Sequence, residues 1–302
     1  MHVTILANPR SGRGKALALA DLLDAILTAR GHTTLRPLID PDLNLAEAAG
    51  GSDRLVIVGG DGTIHHAARA AAESVVPVYH LATGTENLFA RYFRMPRDPE
   101  QAAERLERDH PPSEIDLGTA NGVPFTLMCS VGVDASVIHR VEDARGAKGG
   151  HLAYVRPTLA EGLSPRAARL DIEADGAPLI AGFVGTAVVS NIPAYALRMD
   201  PAFDADPSDG RLDLALLPFA TSVGTAYGFL RSKLRSKSIR RVRAARFVIR
   251  PSEPASPETN PVQIDGERPR PDSPLPRMLG PGSELTLGLL DRHLKVHAPP
   301  GR

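Results

Sequence analysis

Short apolar runs alternate with stretches of helical period along the first third of the chain. This pattern predicts strands at residues 2–6, 33–38, 55–58 and 75–81, and helices at 16–30, at 64–73 and from Glu86 onward. Regular alternation of strand and helix is typical of βαβ units, because parallel strands need a crossover connection that a helix usually provides. We therefore expect an open, mainly parallel α/β sheet over residues 1–115.

The pattern changes near Glu114, after which most apolar runs are short and are separated by turn residues. It predicts strands at residues 168–174, 179–189, 212–217 and 261–264, and helices at 151–162 and 221–234. The pair Asp175-Gly176 is typical of a two-residue hairpin turn, because both positions of such a turn favour a positive φ. We therefore expect a second, β-rich domain of the sandwich type over residues 116–285.

The composition is compatible with two globular domains and excludes some functions. The chain has 302 residues, more than one domain usually holds, and 42% of them are apolar, which is enough for two cores. Lysine plus arginine and aspartate plus glutamate number 35 each, so the formal net charge is zero. Because nucleic-acid-binding proteins are normally basic, we expect no nucleic-acid partner.

The single cysteine and the apolar segments bear on the cellular compartment. Cys129 has no second cysteine to pair with and lies in an apolar run, which predicts a buried thiol in a reducing compartment. The apolar run at residues 2–7 is too short for a signal peptide. The uncharged stretch at 176–197 contains proline and glycine, so it predicts buried strands. We therefore expect a cytoplasmic protein.

A Ser/Gly loop at residues 8–15 follows the first predicted strand and opens the first predicted helix. It is not a Walker A loop, because Pro9 and Ala16 stand where that motif has a glycine and a magnesium-binding hydroxyl. A loop at this place presents backbone N–H groups and the positive end of the helix dipole to an anion. From this loop alone, phosphate binding and a plain turn are equally good interpretations.

The run Gly59-Gly60-Asp61-Gly62-Thr63 is a more specific signal. Its glycines allow the backbone to approach a phosphate chain, and Thr63 can cap the helix that follows. A carboxylate beside a polyphosphate needs a cation between them, so Asp61 indicates Mg²⁺; the alternative is a tight turn with Asp61 as a helix cap. With Gly84-Thr85-Glu86-Asn87, three such loops predict a nucleotide cleft at the carboxyl ends of the strands.

Seven short motifs follow one another along the chain: Asn8-Pro9-x-Ser11-Gly12, Gly59-Gly60-Asp61-Gly62-Thr63, Gly84-Thr85-x-Asn87, Asp116-Leu117-Gly118, Gly132-x-Asp134-Ala135, Asp209-Gly210-x-Leu212-Asp213 and Asp265-Gly266-Glu267. In this order they resemble the diacylglycerol kinase catalytic superfamily, in its bacterial lipid kinase branch, which is related to sphingosine and ceramide kinases. The second motif is shared with NAD kinases and resembles phosphofructokinase loops, which implies a first domain of that kind. The last motif, placed after a β-rich domain, is typical of lipid kinases.

This resemblance implies that the first domain binds ATP with Mg²⁺. The residues implied in ATP binding are Asn8, Ser11, Gly12, Gly59, Gly60, Asp61, Gly62, Thr63, Gly84, Thr85 and Asn87. In a cleft between the domains, Glu267 matches the general base that takes the proton from the lipid hydroxyl, and Asp265, Asp116 and Asp61 match the acidic network around it. Without the resemblance, the last motif equally predicts a β-turn with solvated carboxylates.

The resemblance also implies a second, structural Mg²⁺ and a returning strand. The metal ligands would be the carboxylate of Asp209 and backbone oxygens of Asp206 and Arg211. Taken alone, the same residues predict a type I turn. The segment 286–302 is expected to pack back onto the first domain.

The chain departs from the family pattern in two places. After the glycine-rich loop the chain has His65-His66, where many members have an asparagine and a glutamate. Leu88 stands where many members have an aspartate, so one acid of the usual metal network is missing. The histidines can be residues of the helix surface, a pH-sensitive contact or substitutes for the missing acid, and we favour the surface.

The segment 231–246 carries eight cations and no acidic residue. It can be a solvated helix and linker or a contact with an anionic membrane surface, where each cation contributes about 1 kcal/mol. Nucleic acid is a third interpretation, and the neutral net charge counts against it. We expect peripheral membrane contact through this segment.

Taken together, the sequence predicts an ATP- and Mg²⁺-dependent kinase that phosphorylates a hydroxyl of a membrane lipid, with diacylglycerol as the default substrate. One alternative is a kinase of a soluble metabolite of the NAD kinase type. Another is a nucleotide-binding regulatory protein with weakened catalysis, which the leucine at position 88 suggests. The sequence leaves open whether the chain forms a homodimer.

Overall fold

The computed structural model describes residues 1–37, 44–144, 168–218, 239–252 and 260–298. The chain divides into two compact units, Met1–Asp116 with Asp291–Arg302, and Leu117–Leu290. The first division lies one residue after the boundary predicted from sequence. The second lies after residue 290 and not after 285, because Leu285–Leu289 is a strand that pairs only with strands of the second unit.

The elements follow a strand-and-helix order in the first unit and are mostly strands in the second. The strands are β1 His2–Ala7, β2 Thr33–Leu35, β3 Arg54–Gly59, β4 Val78–Ala82, β5 Ser113–Ile115, β6 Gly118–Ala120, β7 Val123–Phe125, β8 Met128–Val131, β9 Ala168–Ala174, β10 Ala177–Ser190, β11 Leu212–Leu217, β12 Arg240–Ala244, β13 Phe247–Pro251, β14 Val262–Ile264, β15 Leu285–Leu289 and β16 Leu294–Val296. The helices are α1 Lys15–Ala29, α2 Leu45–Ala49, α3 Asp61–Ser74, α4 Leu88–Tyr92, α5 Pro99–Leu106 and α6 Val133–Ala144, with 3-10 turns at Ser11–Gly14 and Ala196–Arg198.

The first unit contains one sheet with the strand order β2-β1-β3-β4-β16-β5. Its strands are parallel except for β5, which runs antiparallel to β16. Strand β3 is buried on both faces, which explains its unbroken apolar run. Helix α1 buries Ala16, Ala20, Leu23 and Leu27, a spacing that forms one apolar stripe along the helix.

The second unit contains a sheet of ten strands. The longest strand, β10, pairs with β9 along its first half and with β8 and β11 along its second half. Phe125, Phe247 and Leu287 are among the side chains of its buried core. Burying such side chains contributes about 1.5–3 kcal/mol each, so this core accounts for much of the stability of the unit.

Most elements predicted for the first third lie within a few residues of the observed ones, and the Asp175-Gly176 hairpin is confirmed. Both hairpin residues have positive φ angles, 48° and 81°. The strand predicted from Val75 begins at Val78 instead, because Val75 has a φ of 59° and ends α3. Helix α6 was not predicted.

The helices predicted at 151–162 and 221–234 and the end of the strand predicted at 33–38 lie outside the described residues. Cys129 is buried, as predicted. Within the part of the chain that the structure describes, no helix is both long enough and apolar enough to cross a lipid bilayer.

Candidate active site

Three loops of the first unit meet at the carboxyl ends of β1, β3 and β4. Asn8 follows β1, and its Nδ2 donates a hydrogen bond to Thr63 Oγ1 at 3.1 Å. Ser11 Oγ and Thr83 Oγ1 share a hydrogen bond of 2.9 Å, which joins the loop after β1 to the loop after β4. The convergence that the sequence predicts is therefore present.

Glycines at the meeting point allow the loops to come this close. A Cβ on Gly84 would lie 3.1 Å from the Cα of Gly60 and 2.9 Å from Asn87 Oδ1. A Cβ on Gly59 would lie 2.3 Å from Thr63 Oγ1. Both positions exclude a side chain, so glycine is required for the loops to pack this closely.

The predicted ATP-binding residues lie at the last position of β3, in these loops or in the first turn of α3: Asn8, Ser11, Gly12, Gly59, Gly60, Asp61, Gly62, Thr63, Gly84, Thr85 and Asn87. Helix α3 begins at Asp61, three residues before the predicted start at residue 64, and Gly60 is its N-cap. Thr63 does not act as the predicted cap; its hydroxyl accepts the hydrogen bond from Asn8.

Asp61 joins two helix starts. Its Oδ1 accepts a hydrogen bond from the backbone N–H of Phe89, in the first turn of α4, at 3.2 Å. The negative charge also lies at the N-terminal end of α3, where the helix dipole stabilises it. The position of the carboxylate is therefore fixed by the fold.

Asn87, immediately before α4, supplies a buried acceptor next to Asp61's helix. Its φ is 50°, and its Nδ2 donates to Gly84 O at 2.7 Å. The Oδ1 atom is buried, and no described residue donates a hydrogen bond to it. Such an acceptor costs about 1–3 kcal/mol unless a ligand or a cation meets it. Together with Asp61 it offers the oxygen donors that Mg²⁺ prefers, so these residues fit an ATP–Mg²⁺ group.

The two departures from the family pattern lie on α3 and α4. His66 is exposed, as predicted for a surface residue, whereas His65 is only 7% exposed. Their rings contact each other, with centroids 4.9 Å apart. Leu88 is buried at the start of α4. The surface interpretation therefore holds for one histidine of the pair.

His80 is a buried residue near these loops that the sequence analysis missed. It lies in β4, and its Nε2 is 3.0 Å from the carbonyl oxygen of Gly59. Burial lowers the pKa of His80, so the imidazole is neutral and its Nε2–H donates to that carbonyl. A histidine in the otherwise apolar run Val78–Ala82 was the signal that could have identified it.

Asp116, predicted as a catalytic acid, is buried at the end of the first unit. Its Oδ1 lies 3.1 Å from Nδ1 of His293, which precedes β16. The segment that returns to the first unit therefore contacts a predicted catalytic residue.

Glu267 lies at the end of a tight turn in the second unit. Ile264 and Glu267 exchange both backbone hydrogen bonds, at 2.9 Å each. The two residues between them, Asp265 and Gly266, have φ angles of 49° and 81°, which define a turn of type I′. This turn fixes the backbone from which the Glu267 side chain projects.

Asp265 holds this turn from one side. Its carboxylate accepts hydrogen bonds from the backbone N–H groups of Thr126, Leu127 and Met128 and from Thr126 Oγ1, all at 2.8–2.9 Å. It is 5% exposed. Asp265 was predicted to support the base, and these contacts show that it anchors the turn.

Helix α6 holds the turn from another side. His139 Nε2 contacts Val262 O at 2.7 Å, just before the turn. Arg268, just after it, pairs with Asp143 at 2.8 Å, and its backbone N–H donates to Glu142 at 2.9 Å. The unpredicted helix therefore fixes both ends of the turn. The signal that could have found it is the strand–glycine–helix pattern at Gly132, which the first unit also uses.

The predicted structural metal site lies in a turn before β11. Asp209 Oδ1 accepts a hydrogen bond from Arg211 N at 3.0 Å, and Asp206 Oδ1 accepts from Ser208 N at 3.0 Å. These bonds lie within the turn.

Arg243 lies against the same turn, with its Nη1 at 3.5 Å from Asp209 Oδ2. Its guanidinium also donates hydrogen bonds to Asp213 Oδ1 at 3.0 Å and to Asp204 O at 2.8 Å. As described, the turn does not fit the implied Mg²⁺, because Arg243 already supplies a positive charge to Asp209.

Replacing Arg243 with methionine tests this arrangement. Loss of charged hydrogen bonds to Asp213 and to the turn should reduce stability by about 1–3 kcal/mol, measured by denaturant unfolding. Millimolar Mg²⁺ should raise the Tm of Arg243→Met and leave the wild-type Tm unchanged. Arg250→Met is the matched control, because Arg250 pairs with Glu173 and Glu284 in the same unit. A wild-type Tm that rises with Mg²⁺, and no longer does so in Asp209→Asn, would contradict the prediction.

Comparisons with known proteins agree on one family. The model of the diacylglycerol kinase catalytic domain matches residues 2–120. The diacylglycerol kinase of Mycobacterium tuberculosis (strain CDC 1551 / Oshkosh) is 30% identical over 225 residues, which are 71% of this chain and 72% of the relative. A Pseudomonas fluorescens protein named "Probable lipid kinase YegS-like" is 32% identical over 177 residues, 56% of each chain.

The fold is also that of a solved protein. The crystal structure of a diacylglycerol kinase from Bacillus anthracis strain Sterne matches with a TM-score of 0.67 at 19% identity, covering 99% of this chain and 97% of that chain. At this identity the likeness shows the fold alone. The similarity of sequence to the mycobacterial enzyme and the match to the domain model go further: the chain belongs to the diacylglycerol kinase catalytic family of lipid kinases.

Proposed function

We propose that the protein transfers the γ-phosphate of ATP to a hydroxyl of a membrane lipid, with diacylglycerol or a related lipid as the acceptor. The observation that carries this proposal is the type I′ turn that presents Glu267, anchored by Asp265 and by α6. A carboxylate on so constrained a backbone suits a general base, which has to be aligned with a hydroxyl.

The first unit would hold the nucleotide. The glycines let the three loops pack closely, and Asn8 and Ser11 keep the loops together. Asp61 and Asn87 would hold Mg²⁺, which neutralises the charge that develops on the phosphate oxygens. Phosphoryl transfer needs such positioning more than covalent catalysis.

Labelled ATP and a total lipid extract test the proposal directly. Label that enters the organic phase, and that requires Mg²⁺, would support a lipid kinase. Label that stays in the aqueous phase on a soluble acceptor would support a metabolite kinase of the NAD kinase type. Tight ATP binding without turnover on any extract would support a regulatory protein. The reason to consider one is Leu88, which is buried where many family members have an aspartate.

Contact with an anionic membrane surface is the second part of the proposal. Some cations of the segment 231–246 already make bonds within the protein, which narrows the set of arginines that could contact a membrane. Residues 231–238 lie outside the described part, and 240–244 form β12. Arg241 donates to Pro201 O at 2.7 Å and stacks on Phe203. Arg243 is exposed but is bonded to the Asp209 turn, so Arg240 and Arg246 remain as candidates among the described residues of the segment.

Replacing Arg240 and Arg246 with alanine should weaken sedimentation with vesicles that contain 30% phosphatidylserine. A loss of about 1 kcal/mol per cation corresponds to a drop of roughly 10- to 30-fold in the partition coefficient. Arg108 and Arg292, which are exposed in the first unit, give a control variant with the same change in net charge. Equal weakening by both variants, or vesicle binding that salt does not reduce, would contradict a membrane contact here.

A further inference from the structure

A chain of buried hydrogen bonds leads to the Ile264–Glu267 turn. Ser130 Oγ donates to Asp134 Oδ2 at 2.6 Å, and Gln263 Nε2 donates to Ser130 Oγ at 2.8 Å. The backbone N–H of Gly266, inside the turn, donates to Gln263 Oε1 at 2.8 Å. The side chains of Asp134, Ser130 and Gln263 are all buried. These bonds link a carboxylate on α6 to the turn that carries Glu267.

The direction of this chain is fixed at both of its ends. Asp134 accepts hydrogen bonds from Tyr195 OH and from the backbone N–H of Ala135 as well, so it acts as an acceptor and the Ser130 hydroxyl points at it. The lone pairs of Ser130 Oγ are then left for the Gln263 amide nitrogen. The backbone N–H of Gly266 can only donate, so it also requires the amide oxygen of Gln263. Asp134 supplies the acceptor at the other end, which completes a chain with one consistent orientation.

The carboxylate is an unusual choice for this place. Burial raises the pKa of Asp134, and the hydrogen bonds from Ser130 and from Tyr195 OH, the latter at 2.8 Å, act in the opposite direction. Removing an ion from water costs several kcal/mol even after relaxation, and replacing buried charged groups by apolar ones is often neutral or stabilising. A role in orienting other groups accounts for a carboxylate here better than stability does.

We propose that Asp134 is a positioning residue for the reaction: through Ser130 and Gln263 it holds the Gly266 N–H, and with it the geometry in which Glu267 is presented. Asp265 anchors the same turn through Thr126–Met128, so the turn is held by two independent carboxylates. This inference rests on the proposed function of Glu267 as the base.

Single substitutions along the chain test the proposal. Ser130→Ala, Asp134→Asn and Gln263→Leu should each lower kcat by roughly 10- to 100-fold and leave KM for ATP unchanged, because misplacing a reacting group by about 1 Å costs up to about 10²-fold. The matched control is Ser252→Ala. Ser252 is also buried in the second unit and donates to a carboxylate, Asp171, at 2.5 Å. A kcat in Ser252→Ala that falls as far as in Ser130→Ala would overturn the specific role.

A double-variant experiment separates positioning from a merely structural role. In the Glu267→Gln background, Ser130→Ala should have no further effect on kcat, since the group that it positions is already gone. If the two effects multiply, the network does not act through Glu267 and the proposal fails.

Hydrogen exchange of the Gly266 and Glu267 amides gives a readout that does not depend on activity. Exchange should be faster in Ser130→Ala and Asp134→Asn than in the wild type, and unchanged in Ser252→Ala. Unchanged exchange in all three variants would overturn the network. If Glu267→Gln alone leaves kcat unaltered, the proposed base is wrong, and the exchange experiment still decides whether Asp134 holds the turn.

Discussion

Replacing Glu267 with glutamine is expected to lower kcat by roughly 10²–10⁴-fold on the best lipid substrate while leaving ATP affinity nearly unchanged. A lipid hydroxyl is a weak nucleophile at neutral pH, and a positioned carboxylate assists it only as its proton leaves. Glutamine keeps the size of the side chain but cannot take that proton. The loss should therefore appear in kcat and in kcat/KM for the lipid equally.

The fold should survive this change, because backbone bonds and Asp265 hold the turn. Glu173→Gln is a suitable control, since Glu173 is a surface carboxylate of the same unit that pairs with Arg250. It should retain full activity. Near-wild-type kcat in Glu267→Gln would refute the assignment of the base, and His66 would become the next candidate.

Asp61→Asn is expected to lower kcat by about 10²-fold or more with little change in Tm. Metal-assisted neutralisation of the phosphate oxygens is worth several kcal/mol in the transition state, and each 1.36 kcal/mol is tenfold in rate. Asparagine keeps an oxygen that can accept the hydrogen bond from Phe89 N–H, so the link between α3 and α4 remains. The Mg²⁺ concentration that gives half-maximal activity should rise.

The control for this variant is Asp98→Asn. Asp98 caps α5 in the same unit and accepts a hydrogen bond from Gln101 N at 3.1 Å. Its activity and magnesium dependence should match the wild type, with at most a small loss of Tm. An Asp61→Asn enzyme with normal kcat and normal magnesium dependence would show that the metal is held elsewhere.

The first unit was predictable because its pattern is local. Each of β1 to β4 is followed by a helix, so periodicity indicates these elements, and the glycine-rich loops after β1, β3 and β4 indicate the phosphate loops. The boundaries that failed have identifiable causes. Val75 takes a left-handed conformation that its β-branched side chain disfavours, so the end of α3 was not expected there. Asn87 also has a left-handed conformation, and α4 therefore begins after it and not at Glu86.

The second unit was harder because its contacts are distant in sequence. Asp265 is anchored to a segment almost 140 residues earlier, at Thr126. Its role as an anchor therefore could not be inferred from its neighbours along the chain. The partners of Arg243 could not be inferred from its neighbours either. The charge pattern placed it in a membrane-binding segment, whereas in the structure it pairs with Asp209 and Asp213.

Strand β16 completes the first sheet but is synthesised last. It lies between β4 and β5 in the first sheet, yet it comes from residues 294–296. A ribosome that adds roughly 5–20 residues per second completes the rest of that sheet many seconds before this strand emerges. During that time β4 has an unpaired edge, which is a template for aggregation. The first unit cannot close until the second has been synthesised, so a nascent chain stalled in the second unit would present an open sheet edge to chaperones and proteases.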